Sequence, residues 1–309
     1  MKKIISLTLM LALLLSACVG LTSCGSADYT VGICQLMEHD SLDQATKGFI
    51  DALTEALEKE GKTVKFDTQV AGEANLCTTV INTFTAKKVD LIMANATPAL
   101  TAAAEATSTI PILGTSVTDY NDTFNNKIPK NVSGTSDAVP FGEQAQMMID
   151  TLKLVPGDKV GVIYCSNESN SVLQYEAVSL YFETKGIVVE AYTFSDAATE
   201  LQAITNSAVN ECKAIYVPSD NTVAQNDTIV GNICSDKKIP VFTSYGGTIC
   251  YASLAIDYYQ LGVETGKMAA EILLGKKTPA DIEIKTLLPS GVVYNEELCK
   301  ALGIEVPEN

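Results

Sequence analysis

The stretch VDLIMANATP, residues 89–98, joins an apolar run to a polar tip that ends in proline. A short apolar run of this kind indicates a buried strand, and a proline just after it is typical of the first turn of a helix. The same order recurs in CKAIYVPSDN, residues 212–221, and each copy leads through a helix-like segment to a second apolar run. The repeat therefore predicts two similar series of strand–helix units.

Outward from these two stretches, strand-like and helix-like segments alternate along most of the chain. Alternation of this kind builds parallel sheets that helices cover on both faces. We therefore predict an α/β fold of two similar doubly wound parallel-sheet lobes joined by a multi-strand hinge. The first lobe is expected to take residues 29–135 and 254–284, and the second to take residues 136–253 and 285–309. The predicted strands lie at residues 29–35, 64–68, 89–94, 110–117, 159–165, 187–193, 213–217, 240–244 and 251–257.

Composition limits the classes of partner. The chain has 309 residues, 47% of them hydrophobic, which is enough for two domains with substantial cores. Its 21 basic residues are all lysine, against 37 acidic residues, for a net charge of −16. Such a charge argues against nucleic acid as a partner. Because arginine is absent, a bound anion has to be held by lysine, hydroxyls or backbone N–H groups.

The N-terminus has the features of an export signal, with two lysines followed by an apolar run over residues 4–21. An uncleaved membrane anchor is the alternative, since the run is long enough to span a bilayer. Two sites resemble the lipobox of bacterial lipoproteins, and they end at Cys18 and Cys24. We favour Cys24, because a short flexible Gly-Ser tether follows it. Residues 1–23 are thus predicted to be a lipoprotein signal peptide and residues 24–28 a lipidated tether, which would anchor the protein outside the cytoplasmic membrane.

Motifs for cofactors and metals are missing. The sequence contains no GxGxxG after a strand, no GxxxxGK[ST] and no GxSxG, and it has a single histidine, His39. The cysteines form no CxxC pair and lie in apolar contexts, where we expect small buried thiols. We therefore predict neither a cofactor nor a metal site.

Polar tips follow six of the predicted strands. The carboxyl ends of strands in an open α/β sheet are where ligands bind, so two facing sheets would enclose one cleft. Taken singly, Thr97, Ser169 and Ser219 are more simply interpreted as helix N-caps. The tips are Glu38-His39, residues 95–97 and residues 115–116 in the first series, and residues 167–171, 219–221 and 244–245 in the second.

Two of these tips have complementary chemistry. The helix that begins at Thr97 can attract a carboxylate through its free N–H groups, and Asp220 can pair with an ammonium group. Together they describe a site for an amino-acid zwitterion that bridges the lobes and favours a closed form. His39 is either a cleft residue or a structural one, and Asp257 is either a helix cap or a ligand group.

Six stretches together resemble the ABC-transporter substrate-binding lipoproteins whose better-known members bind tryptophan, phenylalanine or tyrosine. The resemblance implies a type I periplasmic-binding-protein fold, an ABC permease and an ATPase as partners, and no catalysis. Carried over by position, it implies ligand contacts from Thr97, Ser116, Glu168, Asn170, Ser171, Asp220, Asn221, Asp257 and Glu38. The stretches are QLMEH (35–39), ATPA (96–99), VTD (117–119), ESNS (168–171), VPSDNTV (217–223) and IDYYQLG (256–262).

The sequence thus predicts an extracytoplasmic solute-binding lipoprotein of an ABC importer. Its expected ligand is an amino acid, with an aromatic side chain favoured. The turn at residues 244–247 departs from the Glu-Glu-Gly pattern common in the family, which leaves the identity of the amino acid open. The alternatives are a receptor for another small solute, such as a sugar or nucleoside, and an exported hydrolase on the same scaffold.

Overall fold

A computed structural model describes residues 27–289, 291–303 and 306. The predicted export signal and both candidate lipidation sites, Cys18 and Cys24, lie outside these residues. Within the described part of the chain, no helix combines the length and the apolar character that crossing a bilayer requires.

Strands and helices alternate from the first described strand onward. The strands are β1 (Tyr29–Gln35), β2 (Val64–Val70), β3 (Leu91–Asn95), β4 (Ile112–Val117), β5 (Val132–Ser136), β6 (Lys159–Cys165), β7 (Val188–Phe194), β8 (Ala214–Val217), β9 (Val241–Thr243), β10 (Ala252–Ser253), β11 (Lys285–Thr286) and β12 (Val293–Tyr294). The α-helices are α1 (Asp40–Glu58), α2 (Cys77–Lys87), α3 (Thr97–Ala106), α4 (Tyr120–Thr123), α5 (Phe141–Leu152), α6 (Ser169–Thr184), α7 (Gln202–Glu211), α8 (Asn221–Gln225), α9 (Asp227–Lys237), α10 (Tyr258–Leu273) and α11 (Glu296–Leu302).

The strands form two parallel sheets. The first has the order β11-β5-β4-β3-β1-β2 and the second the order β7-β6-β8-β9, and the neighbours within each sheet pair in parallel. A short antiparallel ribbon of β10 and β12 accompanies the second sheet. Helices on both faces bury the central strands β3, β4, β5 and β8 completely. This is the predicted α/β architecture, and we call each sheet with its covering helices a lobe.

The chain leaves the first lobe after β5 and returns to it in α10. Helix α10 packs against α1 at very short range, since a Cβ atom added at Gly262 would lie 2.0 Å from the carbonyl oxygen of Ala45. A Cβ atom added at Gly48 of α1 would lie 2.1 Å from the carbonyl oxygen of Tyr259. Only glycine permits such an approach, so this packing fixes the position of the segment that enters α10.

Several predicted elements need correction. The predicted strand at residues 251–257 shrinks to β10, because most of that segment is a crossing between the lobes. The segment after β4 contains the short helix α4, which has no counterpart in the sequence prediction. The helix-like segment predicted after β8 is two helices that meet at Asn226. Strand β5 and helix α5 had no counterpart in the sequence prediction. Strand β11 pairs with β5 and so extends the first sheet two residues past the predicted end of that lobe at residue 284.

Candidate functional site

A polar cavity lies between the two lobes, at the carboxyl ends of their strands. Its cavity volume is small, ≈ 10 Å³, which is about the room that one water molecule needs. Four of the predicted ligand residues line it, namely Ser116, Asn170, Asp220 and Asn221. Because their chain positions come from both series of strands, the cavity bridges the lobes as predicted for a ligand cleft.

Three buried polar atoms in the lining have no hydrogen-bond partner among the described residues. They are the Ser116 hydroxyl oxygen, the Asn170 amide oxygen and the Tyr245 hydroxyl oxygen. The Asn170 amide nitrogen donates to the carbonyl oxygen of Ser219 at 2.7 Å, which leaves the amide oxygen for the cavity. Buried polar groups in native proteins are almost always hydrogen-bonded, so three unpartnered groups at one cavity indicate a polar ligand.

The backbone is strained at two strand ends of the first lobe. Ser116 has φ +54° and Ala96 has φ +88°, both in a region that residues with a Cβ atom rarely adopt. The strand register also shifts between Gly114 and Val117, so Ser116 sits in a bulge. Backbone strain of this kind is common at functional sites, and here it occurs at Ser116, whose hydroxyl has no partner among the described residues.

The start of α3 offers an anion site. Ala96 is its N-cap residue, and no side chain caps the first turn. The N-cap interpretation of Thr97 was therefore wrong, because Thr97 is already the first residue of the helix and Ala96 holds the cap position. Free N–H groups at a helix N-terminus attract carboxylate, which is the chemistry expected of this tip.

Glu168 has protein partners on both of its carboxylate oxygens. It is buried, and it accepts hydrogen bonds from the backbone N–H and side-chain amide of Asn221, at 2.9 and 2.7 Å. Its other oxygen accepts from the backbone N–H and hydroxyl of Thr222, at 2.8 and 2.6 Å. With two donors on each oxygen, this carboxylate holds the start of α8 and so positions Asn221.

Asp220 also has two protein partners. Its side chain caps α8 by accepting from Val223 N–H at 2.8 Å, and it joins α8 to β6 by accepting from Cys165 N–H at 2.7 Å. Burial, together with the nearby negative charge of Glu168, raises the pKa of Asp220 to about 8. The expected cap, Ser219, is not the cap of α8, because its hydroxyl instead shares a hydrogen bond with that of Ser244 at 2.7 Å.

The remaining predicted residues have varied positions. Ser171 is fully buried in α6, where its hydroxyl oxygen accepts from the Asn170 side-chain amide at 3.5 Å. Thr97 is buried outside the cavity lining. Asp257 is exposed and caps α10 by accepting from Gln260 N–H at 3.0 Å, in agreement with the cap interpretation. Glu38 is exposed and does not line the cavity.

The cavity lining also includes residues that the sequence did not single out as ligand residues. Asp137 lies just after β5, and Tyr258 lies at the start of α10, where the chain crosses between the lobes. The Tyr258 hydroxyl donates to Asp137 at 3.0 Å. Recognition of β5 as a strand would have identified Asp137 as another strand tip.

Contacts between the lobes close the cavity. His39 Nε2 lies 3.3 Å from the Asn221 side-chain oxygen, and burial lowers the pKa of His39. The Gln174 amide of α6 donates to the Thr118 hydroxyl after β4 at 3.2 Å. His39 therefore lies in the cleft, which agrees with the first of its two interpretations, that of a cleft residue.

A wider groove with a volume of ≈ 660 Å³ lies beside the cavity, also between the lobes. Met37 and Pro98 line it on the first lobe, and Cys165, Glu168 and Ala197 line it on the second. The cleft thus combines a small polar cavity with a larger and partly apolar groove.

Two parallel-sheet lobes that face each other across a polar cleft define a periplasmic binding protein of type I. The sequence model of the family described as ABC transporter substrate binding protein matches residues 30–309. The chain belongs to this family and is the substrate-binding protein of an ABC transporter.

Three relatives of this chain have names that state what they bind or which conformation they adopt. A tyrosine-binding protein of Clostridioides difficile (strain R20291) is 36% identical, over 89% of this chain and 81% of that protein. An ABC domain from Streptococcus pneumoniae in complex with L-Trp has a TM-score of 0.83 at 30% identity, over 91% of this chain and 97% of that one. A ligand-free, open substrate-binding protein with adhesive properties from Clostridium difficile has a TM-score of only 0.66 at 33% identity, with the same coverage. By this measure, the described chain superimposes better on the L-Trp complex than on the open structure.

Proposed function

We propose that this protein is an extracytoplasmic receptor that captures an amino acid with an aromatic side chain between its lobes. The observation that carries the proposal is the convergence of unpartnered polar atoms from Ser116, Asn170 and Tyr245 on one buried cavity that both lobes line. A zwitterion offers both hydrogen-bond donors and acceptors to such a set of groups.

The proposed orientation of the ligand follows from the two ends of the cleft. The ligand carboxylate binds at the first turn of α3, near the Ser116 hydroxyl, while Asn170 and Asn221 contact the polar end from the second lobe. In this arrangement Thr97, Ser116, Asn170 and Asn221 are ligand residues. Glu168, Ser171 and Asp220 support them through the contacts described above.

An aromatic side chain suits the wider groove. The groove has apolar lining from Met37, Pro98 and Ala197, and it adjoins the polar cavity. Burial of about 150 Å² of ring surface contributes roughly 4 kcal/mol at about 25 cal/mol per Å². The names of two relatives, which refer to tyrosine and to L-Trp, support the same ligand class.

The proposed cycle couples binding to closure. Contacts such as His39 with Asn221 form only when the lobes approach each other, so a ligand that touches both lobes favours the closed form. The closed receptor then delivers the amino acid to an ABC permease, whose transport an ATPase drives. We further propose the domain division predicted from the sequence, with β11 added to the first lobe, and a lipid anchor at Cys24, with Cys18 as the alternative.

A thermal-shift screen of the protein lacking residues 1–23 tests the ligand class. Ligand at 100 times its Kd stabilises the native state by about 2.7 kcal/mol, which a melting curve resolves. We expect L-tyrosine, L-tryptophan or L-phenylalanine to raise the Tm. A shift with sugars or nucleosides only would favour the alternative solute class. Turnover of ester, amide or glycoside substrates that Asp220→Ala abolishes would favour the hydrolase.

A further inference from the structure

Two buried carboxyl groups line the cavity, and they differ in what already binds them. Both Asp220 oxygens accept backbone N–H groups, from Val223 and Cys165. Both Asp137 oxygens accept side-chain hydroxyls, from Thr118 at 3.1 Å and from Tyr258 at 3.0 Å. Asp220 therefore shapes the backbone of the second lobe, whereas Asp137 is held by two neutral side chains in the crossing region.

Asp137 has no cationic partner among the described residues. It is 5% exposed, and none of the described ion pairs includes it. A buried carboxylate that is hydrogen-bonded only to neutral groups lacks the charge compensation that such groups need. Burial raises the pKa of Asp137 for this reason. A ligand cation would supply the missing positive charge.

The surroundings of Asp137 match an ammonium group. The unpartnered amide oxygen of Asn170 and the hydroxyl oxygens of Ser116 and Tyr245 line the same cavity. An ammonium group has three N–H donors, and the cavity presents the Asp137 carboxylate and several neutral acceptors to receive them.

We infer that Asp137, and not Asp220, accepts the α-ammonium group of the ligand and is the residue that selects amino acids over their deaminated analogues. The inference rests on the proposed function, because it needs an amino acid in the cleft. The partners of Asp137 extend its effect to the crossing region. Thr118 follows β4 of the first lobe, and Tyr258 begins α10, where the chain crosses between the lobes. An ammonium group at Asp137 therefore links the ligand to the first lobe and to one crossing segment.

Calorimetric titration tests this assignment, with L-tyrosine and 3-(4-hydroxyphenyl)propionate as probes. The second probe keeps the carboxylate and the ring but lacks the ammonium group. Asp137→Asn keeps the shape of the side chain and removes its charge. We expect L-tyrosine affinity to fall about 10- to 100-fold in this variant, with a change of less than about threefold for the deaminated probe. Asp220→Asn is the matched control, and we expect it to change the affinity for both probes by the same factor.

The outcomes separate this inference from the proposed function. If the wild-type protein binds no amino acid, the proposed function fails, and the inference fails with it. If the wild type binds L-tyrosine but Asp137→Asn weakens both probes equally, Asp137 is structural and only the inference is overturned. A selective loss in Asp220→Asn alone overturns the inference in the same way. Should Asp137→Asn melt far below the wild type, Asp137→Ser, which keeps an acceptor for Tyr258, replaces it in the same titrations.

Discussion

Substitution of Asp220 by asparagine gives a stability change whose sign depends on pH. In the folded protein, burial and the charge of Glu168 raise the pKa of Asp220 to about 8, whereas the ordinary value is 3.8. Between these two values the folded chain keeps a proton that the unfolded chain releases. The stability that this proton contributes is complete below the ordinary pKa and is lost as pH rises towards the raised one.

The magnitude follows from the width of this window. Each pH unit inside it costs the wild type about 1.4 kcal/mol of unfolding free energy, so pH 5 to pH 8 removes roughly 4 kcal/mol. Asparagine does not titrate, so the variant does not lose this pH-dependent stability. It still accepts from Val223 N–H, but its amide nitrogen faces the Cys165 N–H group, which costs about 1 to 3 kcal/mol at every pH.

We therefore expect the two stability curves to cross. Urea unfolding of the protein lacking residues 1–23, measured at pH 5, 6.5 and 8, should show Asp220→Asn less stable than the wild type at pH 5 and equal or more stable at pH 8. The other titrating groups, including Asp137, are present in both proteins, so the difference reports Asp220 together with its interaction with Glu168. A variant destabilised by the same amount at all three pH values would refute the reasoning.

Three further substitutions test packing and the cavity. Gly262→Ala should lower the free energy of unfolding by about 1 to 3 kcal/mol, because the added Cβ would lie 2.0 Å from a carbonyl oxygen of α1. A thermal melt measures this loss, and Lys267→Ala on the exposed face of α10 is the near-neutral control. Tyr245→Phe removes a hydroxyl that has no partner among the described residues, so the Tm of the variant should stay within error or rise. Its affinity for L-tyrosine, measured by calorimetry, should fall about 5- to 10-fold. A clear loss of Tm would contradict the ligand role of the Tyr245 hydroxyl. Glu168→Gln replaces one acceptor oxygen by a donor and so removes hydrogen bonds to the start of α8. Denaturant unfolding should show a loss of about 2 kcal/mol in the free energy of unfolding, and calorimetric titration should show weaker binding of L-tyrosine. Unchanged affinity would mean that Asn221 does not need this support.

The arrangement of the lobes could be predicted because apolar runs dominate most strands. β1 and β6 have their predicted bounds, and both end in buried residues of a parallel sheet. β5 has the polar sequence VSGTS and yet is completely buried. Its Thr135 hydroxyl bonds those of Thr115 at 3.2 Å and Thr265 at 2.8 Å. Hydroxyl pairs between residues far apart in sequence make this strand possible, and no local pattern reveals them.

The site could be located from the sequence, but the role of each carboxylate could not. Strand tips were expected at the cleft, and Ser116, Asn170, Asp220 and Asn221 line it. Whether a carboxylate is free for a ligand depends on distant partners. The N–H of Cys165 that binds Asp220 is 55 residues away, and the Tyr258 hydroxyl that binds Asp137 is 121 residues away. These contacts arise only when the two lobes and the crossing segments assemble.

The central claim is that the cleft binds an aromatic amino acid as a zwitterion. Calorimetric titration of the protein lacking residues 1–23 with L-tyrosine and L-tryptophan, beside 3-(4-hydroxyphenyl)propionate and glucose, tests it most directly. We predict saturable binding of at least one of the two amino acids at one site per chain, with weaker binding of the deaminated acid and no heat from glucose. Absence of binding by both amino acids, or tighter binding of the deaminated acid or of glucose, would contradict the account.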